Sequence, residues 1–226
     1  MSTLRIFFCG VAALVASLTA QDQPKTELLR VLLIGDVSWN NHFQNAQKAL
    51  KDKATVVRSP LGYLSTGAAL IRADELLQTK RWDLVCINFG LSDMMHRDPR
   101  SKRVRAMSPR AGGVQVTHVD DYSKNLGKLV TRLRKSSSRV LWLTTMPLHP
   151  RQRTSAIVAS DIPVFNGAAS VIMNNLNVEV VDVHAQIRLA LSVAKNQRAR
   201  ERLHHDLFKK DLSAQLVARI ASKKMP

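Results

Sequence analysis

Five short apolar runs, each set off by a stretch of helical periodicity, most restrict what this chain can become. Residues 28–34 carry a single charge, Arg30, and the runs at 54–57, 82–89, 139–145 and 178–183 are similarly apolar and rich in β-branched or aromatic side chains. A strand that is apolar on both faces needs cover on both faces, which is the situation of a parallel sheet. The intervening stretches supply that cover. Residues 41–51 place Phe43, Ala46 and Leu50 at helical spacing, and residues 66–78 do the same with Leu70, Ala73 and Leu77. Residues 120–135 give the clearest helix. Tyr122, Leu126, Leu129, Val130 and Leu133 form one stripe, with Asp120 and Asp121 at its start and Arg132, Arg134 and Lys135 at its end, as the helix dipole favours. Residues 164–176 and 185–200 read as further helices. Asp211 is placed to cap a last one that turns Leu212, Leu216 and Ile220 inward.

Strands alternating with helices imply an α/β fold, a three-layer α/β/α sandwich with a five-stranded parallel sheet of flavodoxin-like architecture. The 226 residues suit one such domain, and no repeat or Gly/Ser linker divides them. The expected domain is 21–226, because residues 1–20 have the pattern of a secretory signal peptide: Arg5, an apolar run at 6–18, and the small Ala20. Leu18 makes the cleavage site imperfect. The rival, a membrane anchor, is disfavoured because the run is shorter than a bilayer span requires. The expected location is therefore secreted or periplasmic. With Cys9 in the leader, Cys86 is alone and is expected as a buried thiol.

The formal net charge is +17, from 34 basic and 17 acidic residues, and the leader contributes only Arg5 to it. Such a balance favours anionic partners. The positive charge gathers at 97–110 (Arg97, Arg100, Lys102, Arg103, Arg105 and Arg110 against Asp98) and at 195–210. Neither cluster interleaves aromatic side chains or carries a helix-turn-helix or zinc-finger pattern, which disfavours nucleic acid. The cluster His204-His205-Asp206 lacks the spacing of a metal site, so no metal and no cofactor is expected.

In such sheets the ligand site lies beyond the carboxyl ends of the strands. The segments that fall there resemble the SGNH, or GDSL-type, hydrolases, and this chain resembles a divergent bacterial-type member. VLLIGDVS at 31–38 is similar to the family's first block, an apolar strand followed by Gly-Asp-Ser. WDLVCINFGLSDM at 82–94 resembles the third block, and DDYSKNLGKLVTRLRKSSSRVLWLTTMP the helix and strand that follow. PVFNGAASVIMNNLNVEVVDVH resembles the next helix and strand, and HHDLFKKDLSAQLVARIA the last block with its helix. The resemblance spans nearly the whole chain after the leader, and it implies esterase or deacetylase chemistry without metal or cofactor.

The family's functional positions do not carry over. After Asp36, the nucleophile position is Val37. The oxyanion-binding glycine falls at Leu64 and the third-block asparagine at Ser92. Aligned on Phe208, the catalytic histidine falls at Leu207 and its aspartate at His204. Valine has no lone pair to attack with and leucine no base to offer, so the triad mechanism cannot run in that geometry. A relocated triad of Ser38, His204 and Glu201 is the alternative. It requires Ser38 to turn into the site and His204 to move by three residues, roughly 10 Å along an extended chain. Ser38 otherwise reads as a cap, and Glu201 and His204 as a solvated polar segment. Trp39, Asn88, Asp93, Arg100, Lys102, Arg103 and Arg105 are the ligand-binding candidates. The bland readings are a packing tryptophan, an asparagine and an aspartate that brace loops, and a solvated basic surface; His118 and His184 are expected to be structural. The expected function is an exported, catalytically degenerate domain that binds a glycan or another anionic ligand. The alternatives are an active ester hydrolase built on Ser38 and His204, acting on an acylated small molecule, and a basic surface that holds an anionic polymer.

Overall fold

The computed structural model describes residues 27–35, 39–62, 64–78, 80–148 and 154–210. The first strand, β1 (Leu29–Gly35), is followed by α1 (Trp39–Ala49) and β2 (Ala54–Arg58). Then come α2 (Thr66–Ile71), α3 (Ala73–Leu77), β3 (Trp82–Asn88) and the short α4 (Leu91–Met94). A basic arm follows, made of β4 (His96–Arg97), one 3-10 turn at Pro109–Ala111 and β5 (Val114–Gln115). The chain closes with α5 (Val119–Arg134), β6 (Ser137–Leu143), α6 (Asp161–Asn175), β7 (Glu179–Val181), α7 (Val183–Ser192) and α8 (Gln197–Lys210).

The main sheet is five-stranded, in the order β2-β1-β3-β6-β7, and every pair in it is parallel. Two apolar clusters cover its faces. One joins Leu32, Ile34, Val85, Ile87 and Trp142 to α2, α3, α5 and α6; the other joins Val31, Leu33, Leu84, Cys86 and Leu141 to α1 and α7. Alternate residues of β1 and β3 thus divide between the two cores, which is why these strands are apolar throughout. All five residues of the α5 stripe are buried. Cys86 is a free, buried thiol whose pKa burial pushes well up. The fold is the expected three-layer α/β/α sandwich.

Two helices depart from the sequence expectation. The stretch 66–78 breaks at Arg72 into α2 and α3, and the turn there lets Ala73, Leu76 and Leu77 enter the core together. The stretch 185–200 is also two helices. Asn196 caps the second, accepting from the Ala199 N–H at 2.8 Å, and α8 runs on to Lys210. His204 and Leu207 therefore lie inside a helix and not in a polar connection before one. Leu207 packs against the second core cluster, and His204 is 2% exposed. The apolar partners of α8 outweigh the polarity of its sequence, which had read as a solvated segment. Asp211 and the inward-facing residues proposed beyond it lie outside the described residues, as do the leader and its cleavage site. Among the described residues no helix is long and apolar enough to cross a membrane.

Candidate functional site

The strand order β2-β1-β3-β6-β7 changes direction between β1 and β3, the usual place for a ligand crevice at the carboxyl edge. Gly35 ends β1 directly beside Asn88, which ends β3. Asp36, Val37 and Ser38, the segment between β1 and α1, lie outside the described residues. So does the side chain of Trp39, whose backbone opens α1.

Asn88 is buried and donates to the Leu143 carbonyl at 2.8 Å, tying the end of β3 to the end of β6. Thr145, two residues past β6, is bracketed by Asn166 of α6. The Thr145 N–H donates to Asn166 Oδ1 at 2.8 Å, and Asn166 Nδ2 donates to the Thr145 carbonyl at 2.9 Å. The Tyr122 hydroxyl donates to the Phe89 carbonyl at 3.1 Å. A buried amide or hydroxyl that lost its partner would cost about 1–3 kcal/mol, so this network fixes the loops at the edge. Gly90 sits in its midst at φ 137°, where a Cβ would lie 3.4 Å from Thr145 Oγ1 and 3.6 Å from the Tyr122 hydroxyl. Only glycine adopts that backbone without strain.

Asp93, on α4, is fully buried. It accepts from the Thr66 hydroxyl at 2.7 Å and from the Thr66 N–H at 3.0 Å. The carboxylate thus caps the start of α2 from another element, beside Ser65, which caps it locally at Ala68 N–H. Desolvation pushes the pKa of Asp93 up to about 6, against the pull of the Thr66 and Thr117 hydrogen bonds. Leu64, at the position of the oxyanion glycine, is half-buried and packs on the first core cluster, as does Leu91 at the start of α4. Ser92, the next residue of α4, is half-buried.

The basic arm springs from the same edge. Its base is braced: His96 is buried, and its N–H donates to the Ala156 carbonyl at 2.7 Å. Gln115 Nε2 donates to Asp161 at the start of α6 at 2.9 Å. A Cβ at Gly113 would collide with the Met107 carbonyl, so the arm closes only around a glycine. Its tip carries Arg100, Lys102, Arg103, Arg105 and Arg110, all exposed. Arg100 Nε pairs with Asp98 at 3.2 Å, and the Arg100 N–H and guanidinium hold that carboxylate below its ordinary pKa.

On the other side of the edge, Asp182 caps α7 at the Ala185 N–H and accepts from the Thr144 hydroxyl at 3.0 Å. His184 follows it, half-buried, and burial lowers its pKa. His118 accepts from the Asp120 N–H at the start of α5, at 3.5 Å. Glu201 and His204 stand one turn apart on α8, about 4.5 Å along the helix axis, and His204 is offset from Leu207 by the same rise and not by the roughly 10 Å of an extended chain. Glu201 accepts from Gln197 Nε2 at 3.2 Å. No group of His, Cys, Asp and Glu among the described residues has the arrangement of a metal site.

The structure therefore gathers Asn88, Asp93, Leu64 and Ser92 at one edge with the root of the basic arm, while Glu201, His204 and Leu207 lie on α8. The residues singled out in the sequence include Asn88 and Asp93 but not Thr66, which binds Asp93, nor the bracketed pair Thr145 and Asn166. The signal available for them was in the segments that resemble the family, Thr144-Thr145 after the strand and Phe165-Asn166 in the helix.

The parallel five-stranded sheet with helices on both faces, and with its loops gathered at the carboxyl edge, is the SGNH-hydrolase fold. No protein-family model matches the chain, and no curated protein matches it by sequence. Solved structures match it in shape. A catalytic mutant of an acetylxylan esterase from Geobacillus stearothermophilus superposes with a TM-score of 0.60 at 16% identity, over 87% of this chain and 95% of that one. A lipase/acylhydrolase from Enterococcus faecalis gives 0.58 at 14% identity, over 88% and 100%. A GDSL-like lipase from Bacteroides thetaiotaomicron gives 0.56 at 13%, over 85% and 88%. At these identities the likeness is one of fold.

Proposed function

We propose that this chain is an exported, non-catalytic ligand-binding domain on an SGNH-hydrolase scaffold, and that it takes a glycan or another anionic ligand at the carboxyl edge and basic arm. One observation carries the reading. The scaffold segments persist, while the positions that would carry nucleophile, oxyanion donor, third-block amide and base are Val37, Leu64, Ser92 and Leu207. The surrounding geometry supports it. Asp93, next to Ser92, spends its carboxylate on Thr66, and Leu64 packs on the core. The arm adds exposed arginines beside the edge, suited to carboxylate or sulfate groups. Acetylxylan esterases among the matched structures make an acetylated or acidic oligosaccharide the first ligand to try.

A second reading is favoured by the spacing of Glu201 and His204 on α8, which could serve Ser38 in an ester hydrolase. The burial of His204 works against it, since a base must meet the nucleophile and the substrate.

The test is hydrolysis of short-chain aryl esters and acetylated xylo-oligosaccharides by the purified protein and by Ser38→Ala, beside calorimetric titration with acidic oligosaccharides. The expected result is no turnover in either protein and salt-sensitive binding that is lost in Arg100→Ala/Arg103→Ala/Arg105→Ala. Turnover abolished by Ser38→Ala would overturn the proposal and establish the relocated nucleophile.

A further inference from the structure

The helix layer formed by α2, α3, α5 and α6 presents a second basic surface, on the side of the sandwich and not at its carboxyl edge. On α5 and its C-cap Lys135, the side chains of Lys124, Lys128, Arg132 and Lys135 are all exposed, and their spacing of four, four and three residues puts them on one helix face. The row extends about 16 Å along the helix. The acids near it are few and engaged: Arg132 binds Asp74 of α3 at 2.5 Å, and Lys124 binds Asp121 at 3.5 Å.

A groove runs along each side of this row. One, of about 400 Å³, lies against α2 and α3 and is lined by Leu70, Ile71, Lys128 and Lys135. The other, of about 510 Å³, lies against α6 and is lined by Lys128, Thr131, Ile172 and Leu176. Lys128 and Thr131 belong to both. Gly127 also lines the second groove, and a Cβ there would make an ordinary contact with Ile172 at 3.7 Å. The outer margins carry bare apolar side chains. Ile71 is 86% exposed, and Val171, beside Ile172 on α6, is 58% exposed.

A soluble polyanion would be met by the cations alone and gains nothing from an exposed isoleucine. A row of cations flanked on both sides by unburied aliphatic side chains matches an anionic bilayer surface, where ammonium groups meet phosphates and short aliphatic side chains reach the acyl boundary. We propose that this α5 face is a peripheral docking surface for an anionic lipid membrane, seating phosphate headgroups in the two grooves while Ile71 and Val171 touch the interface. The surface leaves the carboxyl edge and its arm free for a ligand.

The test is co-sedimentation of the purified protein with vesicles of phosphatidylcholine alone and with vesicles that also contain phosphatidylglycerol, at about 0.15 M salt. Three variants discriminate. Lys128→Glu/Lys135→Glu reverses the row. Ile71→Ser removes an apolar margin without changing charge. Arg188→Glu/Arg198→Glu makes the same charge change at exposed positions on the opposite helix layer. The expected result is binding that requires phosphatidylglycerol, falls roughly tenfold or more when the row is reversed, falls by a smaller but measurable factor in Ile71→Ser, and holds within about twofold in the opposite-layer variant. Equal losses in the two charge reversals would reduce the effect to net charge and overturn the proposal. So would an unchanged Ile71→Ser, or a row that binds a soluble polyanion such as heparin as strongly as it binds vesicles.

Discussion

The closed carboxyl edge and the basic arm that grows out of it use polar residues in opposite ways. At the edge, Asn88, Asp93, Thr145 and Asn166 are buried, and each has a partner at hydrogen-bond distance on another element. On the arm, Arg100, Lys102, Arg103 and Arg105 are exposed and local. The same chemical types therefore do different work. In the edge, a polar atom without its partner would cost far more than the bond itself is worth, so these groups specify loop positions. On the arm, solvent screens the charges, so they weigh little on stability and remain available to a ligand. Hence a polar residue at the mouth of a hydrolase fold is not by its position a ligand contact. Asn88 and Asp93 face the region where a substrate would be sought, yet their hydrogen bonds go to the protein.

Variants can break this contrast, and the largest effect belongs to Asn166. Asn166→Ala strips partners from both the N–H and the carbonyl of Thr145, and a loss of about 4 kcal/mol in urea unfolding is expected. A loss below about 1 kcal/mol would show that water replaces the amide and that the edge is open.

Asp93 comes next. Its folded pKa is raised from 3.8 to about 6. The folded protein therefore holds the proton more tightly than the unfolded chain does. The stability this contributes is full below about pH 4, fades as pH rises through about 6, and is gone above it. The expected decline is on the order of 2–3 kcal/mol, and Asp93→Asn should flatten it. A stability curve that climbs between pH 4 and 6 in the wild type but not in Asp93→Asn would mean that the Thr66 bonds outweigh desolvation.

Gly90→Ala puts a Cβ into the network at a backbone angle disfavoured for L-residues, with an expected cost of about 2 kcal/mol and a lowered Tm. The smallest effect on stability falls on the arm. Arg100→Ala/Arg103→Ala/Arg105→Ala should change unfolding by about 0.5 kcal/mol or less while weakening anionic oligosaccharide binding and its salt dependence. A marked loss of stability there would make the arm part of the scaffold and erase the contrast.

Much of the architecture was legible beforehand. The double-sided apolar runs of β1 and β3 required a covered parallel sheet, and the stripe from Tyr122 to Leu133 marked a buried helix face. The helix breaks were not legible. Arg72 carries no Gly or Pro signal, and Asn196, the cap of α8, is one polar residue among many. At the site, the sequence marked which positions had changed chemistry but not what the remaining polar groups do. Asp93 is 27 residues from Thr66, and Asn166 is 21 from Thr145, so nothing local announces either pair.

The sequence by itself determined the periodicities, the five strands of the main sheet, the charge and the identity of Val37, Leu64, Ser92 and Leu207. Each of these is a property of neighbouring residues or of composition. Only the tertiary structure decided that Asp93 is desolvated, that Asn166 brackets Thr145, that His204 is buried in α8, and that four cations of α5 and its C-cap stand between two grooves. Burial and hydrogen-bond pairing depend on which distant segments the cores bring together, and that is set by packing the whole chain at once.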